Sequence, residues 1–290
     1  MISKPNFILL NTRPDPKAAA NLRREVEAVG GEALDCPTLR IVSQPVTQEA
    51  IQKLASASLW IVTSAQAVSG LKSAMVAEDS GGGPSVKSPL SKSPIQVLCI
   101  GKASQKAFAR LIEEIKAKRS AHLSLLQQAL SRCQVIVNPQ AHAFHSEELL
   151  AHPLLQSSVS LKKVALLKGK GGRQLLQTAL ADRGFHVEPI ELYQRQPAPL
   201  CWQAWRQWRQ SETPFLLASS FESVQSLCQQ VDALADEQAG KWLRQQHAIA
   251  YSQRIANLMT ERLAWRGTMT IVQPGNSSVV QALTREALIK

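Results

Sequence analysis

A chain of 290 residues is long enough for two cores, and its balance of 44% hydrophobic to 19% charged residues excludes a disordered protein, because enough apolar surface can be buried to offset ordering entropy. Lysine and arginine outnumber aspartate and glutamate 33 to 22, for a net charge of +11. Polyanions are therefore the expected partners, and nucleic acid, an anionic membrane and a polycarboxylate metabolite all satisfy the sign.

NFILLNTR near the start reads as a strand. The helical stretch KAAANLRREVEAVGG follows, with Ala19, Leu22, Val26 and Val29 at helical spacing and Gly30 and Gly31 as its C-cap. EALDCPTLRIV comes next as a second strand. WIVTSAQAV (60–68) is another strand running into a helix. Residues 80–94, SGGGPSVKSPLSKSP, hold five serines, three glycines and three prolines, a composition expected of a mobile surface loop. VLCIGKASQKA (97–107) again joins strand to helix, and VIVNPQ (135–140) is a short strand. KKVALLKGKGGR leads into the helix QLLQTALADRG, stopped at Gly184, and then into the strand FHVEPIELYQR. CWQAWRQWRQ has the spacing of an amphipathic helix. LLASSFESV (216–224), HAIAYSQRIA (247–256) and TIVQPG (270–275) complete the alternation. Strands alternating with helices in this way predict βα units and parallel sheets.

The chain repeats itself. In the second copy Val164 falls opposite Phe7, 216–224 opposite 60–68, and 270–275 opposite 135–140, while Ala250 falls opposite Gly101. PTLRIVSQP and ELYQRQPAP occupy matching places, each a strand with a proline-marked exit. If both are linkers, the first βα unit must rejoin the last third of the chain. This predicts a discontinuous domain of 1–38 plus 199–290, a second of 42–193, linkers near 39–41 and 194–198, and a cleft between the domains.

The corner KGKGGR packs positive charge and flexibility between a strand and a helix. It lacks the GxxxxGK[ST] spacing of a nucleotide loop, and no GxGxxG occurs. Backbone N–H groups at a helix start bind carboxylates as well as phosphates, and glycines let the backbone approach closely. Lys168, Lys170, Gly171, Gly172 and Arg173 thus form either a candidate anion cradle, with Thr12 and Arg13 as the counterpart, or a purely structural turn with solvated lysines. Thr63, Ser64 and Gln66, and in the second copy Ser219, Ser220 and Glu222, follow strands and precede helices. They suit helix capping, contact with a ligand at the strand ends, or both. Gly101, Lys102 and Ser104 have the same placing, matched by Ser252, Gln253 and Arg254.

Taken in order, NTRP, VTSAQAV, IGKAS, KGKGGR, GFHVEPIELYQR and SQRIA resemble the uroporphyrinogen-III synthase family over nearly the whole chain, in the form with a serine-rich last motif. The resemblance implies an α/β fold of two flavodoxin-like or Rossmann-like parallel-sheet domains joined by a two-stranded linker. It implies a cofactor-free lyase of tetrapyrrole (haem) synthesis, with no metal, acting on the linear hydroxymethylbilane. That substrate loses its terminal hydroxyl, its last pyrrole is inverted through a spiro intermediate, and the ring closes as the type III isomer. Eight carboxylates on the bilane suit the positive charge and the strand-end donors of both copies. By the same resemblance Tyr193 assists hydroxyl departure, although a phenol with pKa near 10 is a weak acid at neutral pH; packing in the linker is its other role. Transient contact with the preceding pathway enzyme fits this setting.

The usual glycine and threonine of the family are replaced at Ala250 and Gln253, which favours an alternative: a non-catalytic binder of anionic small molecules on the same fold. Trp202, Trp205 and Trp208 with Arg206 and Arg209 match base stacking on single strands, but helical spacing favours an amphipathic helix. No basic block is present, so no nucleic-acid or membrane partner is expected. Five widely spaced cysteines without CxxC give neither a disulfide framework nor a zinc site and point to a reduced cytoplasm. His142 and His145 lack a carboxylate partner motif. The apolar run at the start is too short for a signal peptide, and nowhere do about 18 apolar residues run together.

Overall fold

The computed structural model describes residues 5–81, 93–117, 123–136, 146–156, 163–171, 174–234 and 236–288. In chain order the elements are β1 (Ile8–Asn11), α1 (Pro16–Glu27), β2 (Glu32–Asp35), β3 (Leu39–Ser43), α2 (Gln48–Ser56), β4 (Leu59–Val62), α3 (Ala65–Gly81), β5 (Ile95–Cys99), α4 (Gly101–Ala117), α5 (Leu125–Ser131), β6 (Cys133–Val135) and α6 (Ser146–Leu149). A 3₁₀ turn (Pro153–Leu155) leads to β7 (Lys163–Gly169), α7 (Leu175–Asp182), β8 (His186–Pro197), α8 (Trp202–Arg209), β9 (Pro214–Ala218), α9 (Phe221–Asp232), α10 (Glu237–Leu243), β10 (His247–Ala250), α11 (Gln253–Leu263), β11 (Met269–Ile271) and α12 (Asn276–Ala287).

The chain divides into two compact units, one of Met1–Arg40 with Gln196–Lys290 and one of Ile41–Arg195. The first holds a five-stranded sheet in the order β11-β10-β9-β1-β2, with every pairing parallel. Both faces of its strands are covered. Ile8, Leu10, Leu216 and Ala218 pack toward Trp205, Leu227 and Met259, whereas Leu9, Phe215 and Leu217 pack toward Leu22, Val26 and Leu283. Burial on both faces is why these strands read as unbroken apolar runs.

The second unit holds a six-stranded sheet in the order β3-β8-β7-β4-β5-β6. Trp60, Val62 and Val97 face one apolar layer, and Leu59, Ile61 and Leu98 face the other. Reading β7, β8, β4, β5 and β6 against β1, β2, β9, β10 and β11 gives one strand order twice, the flavodoxin-like 2-1-3-4-5. In the second unit the chain enters that order at its third strand. The internal repeat thus corresponds to a repeated topology.

Three local expectations need correction. EALDCPTLRIV is two strands in different sheets, β2 and β3, because Pro37 has no N–H to give a ladder and Thr38 instead bonds the first unit through Ser223 and Ala198. Helix α1 stops at Glu27, and Val29 is exposed; Gly30, at φ +78°, makes the turn. Hydrogen-bond register also moves the repeat at its fourth strand. Cys99 pairs with Val62, and Ala250 with Ala218, so the counterpart of Gly101 is Ser252. Ala250 is an ordinary buried strand residue and replaces no glycine turn. Most of the expected loop at 80–94 lies outside the described residues, as do His142 and His145.

Candidate functional site: the carboxyl ends of two parallel sheets

In a parallel sheet of this order the crevice for a ligand opens where neighbouring strands lead their connections to opposite sides. That point falls between β1 and β9 in the first unit and between β7 and β4 in the second. Each is bridged by a threonine. Thr12 Oγ1 donates to the Leu217 carbonyl at 3.0 Å, and Thr63 Oγ1 donates to the Leu167 carbonyl at 2.9 Å. Thr12 is wholly buried, so its side chain fastens strands and cannot be the ligand contact expected of it.

Arg13 leaves β1 beside this bridge. Its backbone N–H donates to Asn11 Oδ1 at 3.3 Å, while Asp15 caps α1 by accepting from the Lys17 and Ala18 N–H groups. Burial lowers the Arg13 guanidinium from its ordinary value to about 10, against the attraction of Glu25 and Asp15. It remains a cation at neutral pH. Across the switch point Ser219 is half-buried, and Ser220 caps α9 through the Ser223 N–H at 3.2 Å. Ser252 caps α11 through the Ile255 N–H at 3.3 Å. Such a cap satisfies one N–H of the first turn and leaves the earlier ones directed outward. Gln253, Arg254 and Glu222 are exposed beside them.

In the second unit Ser64 does two things. Its hydroxyl accepts from the Ala67 N–H at 3.2 Å at the start of α3 and lies 3.1 Å from the Tyr193 hydroxyl. Tyr193 is only 2% exposed and stands inside β8, rather than at a strand end. Its hydroxyl also accepts from Arg195 Nη2 at 3.3 Å, and its ring fills the space a side chain at Gly169 would need, 2.6 Å from that Cβ. The phenol is thus held by its own unit.

The glycine corner divides into parts. Lys168 is buried within β7, and the Lys170 N–H donates to the Tyr193 carbonyl at 2.8 Å. Gly171, exposed, turns at φ +70° with open space around it. Gly172 and Arg173 lie outside the described residues. Gln174 begins α7 without a side-chain cap. At the neighbouring strand end Gly101 turns at φ +79° and Lys102 is exposed. Ser104 is 3% exposed and its hydroxyl donates to the Ile100 carbonyl at 2.8 Å, which removes it as a ligand contact.

Two residues at these ends escaped sequence reading. Asn276 Oδ1 accepts from Arg13 Nη1 at 2.7 Å, and the Arg13 guanidinium carbon lies 5.3 Å from the centre of the Tyr251 ring. Tyr251 directly precedes the SQR motif, the single signal that could have marked it. The tryptophan stripe is resolved against base stacking, since Trp205 and Trp208 are buried and Trp202 alone of the three is exposed. A groove of about 720 Å³ beside them is lined by Trp202, Arg206, Leu234 and Asp236, away from the strand ends described above.

Among the described residues no group of three histidine, cysteine or acidic side chains could hold a metal, and no helix is long and apolar enough to cross a membrane. All five cysteines are free. Burial raises the Cys36 and Cys228 thiols to about 11 and Cys99 to about 12. Each set of strand ends presents hydrogen-bond donors and cations, Arg13 and Arg254 in the first unit and Lys102 in the second, which suit carboxylates.

Residues 20–278 match the family described as uroporphyrinogen-III synthase HemD. The uroporphyrinogen-III synthase of Escherichia coli is 31% identical over 152 residues, covering 52% of this chain and 59% of that protein. That of Proteus mirabilis is 37% identical over 83 residues, covering 28% and 41%. The matched part spans about half the length of these relatives. Among solved structures, a mutant uroporphyrinogen III synthase from Thermus thermophilus aligns over 98% of this chain and 99% of its own, with TM-score 0.57 and 19% identity. A Helicobacter pylori uroporphyrinogen-III synthetase aligns over 98% and 99%, with TM-score 0.55 and 15% identity. At these identities the structures speak for the fold. The match over most of the sequence is the stronger finding, and it places this chain in the uroporphyrinogen-III synthase family.

Proposed function

We propose that the protein converts hydroxymethylbilane to uroporphyrinogen III, a cyclising lyase reaction of haem synthesis in the cytoplasm. The observation that carries this reading is the family match over residues 20–278. It is supported by the repeated switch point, where strand ends in both units present donors. Carboxylates of the bilane would meet Arg13, Ser219, Ser220, Ser252 and Arg254 at the strand ends of the first unit, and Thr63, Ser64, Gly101, Lys102, Lys170 and Gly171 are the corresponding candidates of the second. Thr12 and Ser104 serve the scaffold. The stretches near 39–41 and 194–198 serve as linkers, and the preceding pathway enzyme supplies the bilane.

Water loss from the electron-rich pyrrole terminus needs little acid, because the ring nitrogen expels hydroxide and leaves a reactive azafulvene. That intermediate closes on its own to the type I ring. Selectivity then requires the bilane to be held bent so that the inverted attack is the near one, an effect of proximity. The buried Tyr193 phenol, shared between Ser64 and Arg195, fits a scaffold role better than proton delivery. Fresh hydroxymethylbilane incubated with the protein, oxidised and separated by isomer, should give type III. Unchanged type I with folded, ligand-binding protein would favour the non-catalytic binder instead.

A further inference from the structure

We propose that Tyr251 and Asn276 are positioning residues that set the Arg13 guanidinium as the carboxylate anchor of the first unit. This rests on the reading of the substrate given above. Arg13 follows β1, while Tyr251 follows β10 and Asn276 opens α12. In the sheet β9 lies between β10 and β1, so the Arg13 side chain reaches across the switch point. Three contacts fix it there. Nη1 donates to Asn276 Oδ1 at 2.7 Å, the guanidinium sits 5.3 Å from the Tyr251 ring centre, and Asn276 is itself held by donating from Nδ2 to Glu25 Oε1 at 2.7 Å.

The chemistry of this clamp leaves the cation unspent. A long side chain with four rotatable bonds loses much entropy when a ligand orders it, and a prepaid orientation removes that cost from binding. The partner at Nη1 is a neutral amide and the platform is an aromatic face. Neither neutralises the charge; Glu25 and Asp15 attract it without an ion pair among the described residues, in contrast to the Arg209–Asp236 and Arg244–Asp232 pairs of the same unit. Nε and Nη2 of Arg13 make no hydrogen bond among the described residues, and these two nitrogens form the fork that accepts a carboxylate in bidentate fashion. Among the described residues the buried Tyr251 hydroxyl has no hydrogen-bond partner. Within the protein the ring, rather than the hydroxyl, does the positioning.

The test compares wild type, Tyr251→Phe, Tyr251→Leu and Asn276→Asp, each confirmed folded by its thermal transition. Uroporphyrin I, a stable octacarboxylate, serves as the binding probe by fluorescence, and kcat and KM for type III formation are measured in parallel. Tyr251→Leu removes the cation–π contact and should raise the probe Kd and KM about three- to tenfold with kcat kept. Tyr251→Phe should restore wild-type values. Asn276→Asp supplies a competing carboxylate at Nη1 and should also raise Kd and KM. The proposal is overturned if Tyr251→Phe loses as much as Tyr251→Leu, if Asn276→Asp leaves Kd unchanged, if kcat alone falls, or if wild type does not bind the probe. A wild type that binds the probe yet yields only type I product sinks the proposed reaction, while the Kd comparison still decides the anchor.

Discussion

Gly169 and Tyr193 show how closely a single position is constrained. A methyl group at Gly169 would stand 2.6 Å from Tyr193 Cζ, in a place where the ring is almost wholly enclosed and cannot swing out. Gly169→Ala should cost about 1–3 kcal/mol by overpacking, read from urea unfolding. Combined with Tyr193→Leu it should cost less than the two changes added, since the clash goes with the ring. Gly171→Ala meets no neighbour among the described residues and carries the strain of φ +70°. These glycines look alike in KGKGGR. The sequence marked the corner as a candidate anion cradle, but the reason for Gly169 is a residue of the adjacent strand, which no local pattern reveals. Thr12 and Ser104 were misread for the same cause, because strand-end hydroxyls that bond a carbonyl and those that face solvent have the same local spelling.

At the scale of elements, helix caps and apolar spacing were the most legible features. Ser220 and Ser252 cap the helices their positions announced, and Gly184 ends α7 at φ +82°. The break between β2 and β3 was less legible, since the apolar content on either side of Pro37 is continuous and only membership of different sheets separates them. The α8 helix gives a direct check. Trp205→Ala or Trp208→Ala should cost about 3–5 kcal/mol, because each ring is in the core and the Trp208 Nε1 bonds the Phe215 carbonyl at 2.9 Å. Trp202→Ala should cost well under half of that, and chemical denaturation of the three variants would reveal an equal loss if the stripe were not a one-sided helix.

The 3₁₀ turn after α6 carries a pH dependence. His152 Nδ1 accepts from the Leu154 N–H at 3.2 Å, which requires the neutral ring, and burial lowers its pKa from the usual 6.5. Below 6.5 the unfolded chain binds the proton more readily than the folded one, so stability rises with pH there. The contribution is complete above pH 6.5 and is lost as the pH falls toward the lowered folded value. The melting temperature should therefore decline from pH 7 to pH 5, and His152→Asn, which keeps an acceptor, should flatten the decline. An unchanged slope in that variant would assign the effect elsewhere.

For the whole molecule, the repeat was visible because both copies bury their strands on two faces and cap their helices with the same small set of residues. Its exact register was not visible, since sliding one apolar strand by two residues keeps the same face inward. That slip is what set Ala250, instead of Ser252, opposite Gly101, and with it the impression that this chain had lost a glycine turn. With the register corrected, the serine cap of α11 stands where the turn at Gly101 stands in the other copy, and the donors at the two sets of strand ends are comparable. On the proposed function, the strand-end donors of each unit hold carboxylates of the bilane, and this holding, rather than an acid or base, selects the isomer.

The most direct measurement is the fraction of type III product formed by wild type and by Tyr193→Phe at saturating protein, with bound substrate determined alongside. Type III is expected from both, with the variant keeping most of the wild-type fraction. Type III from wild type and type I from a Tyr193→Phe protein that still binds would contradict it, and would make the phenol the proton donor.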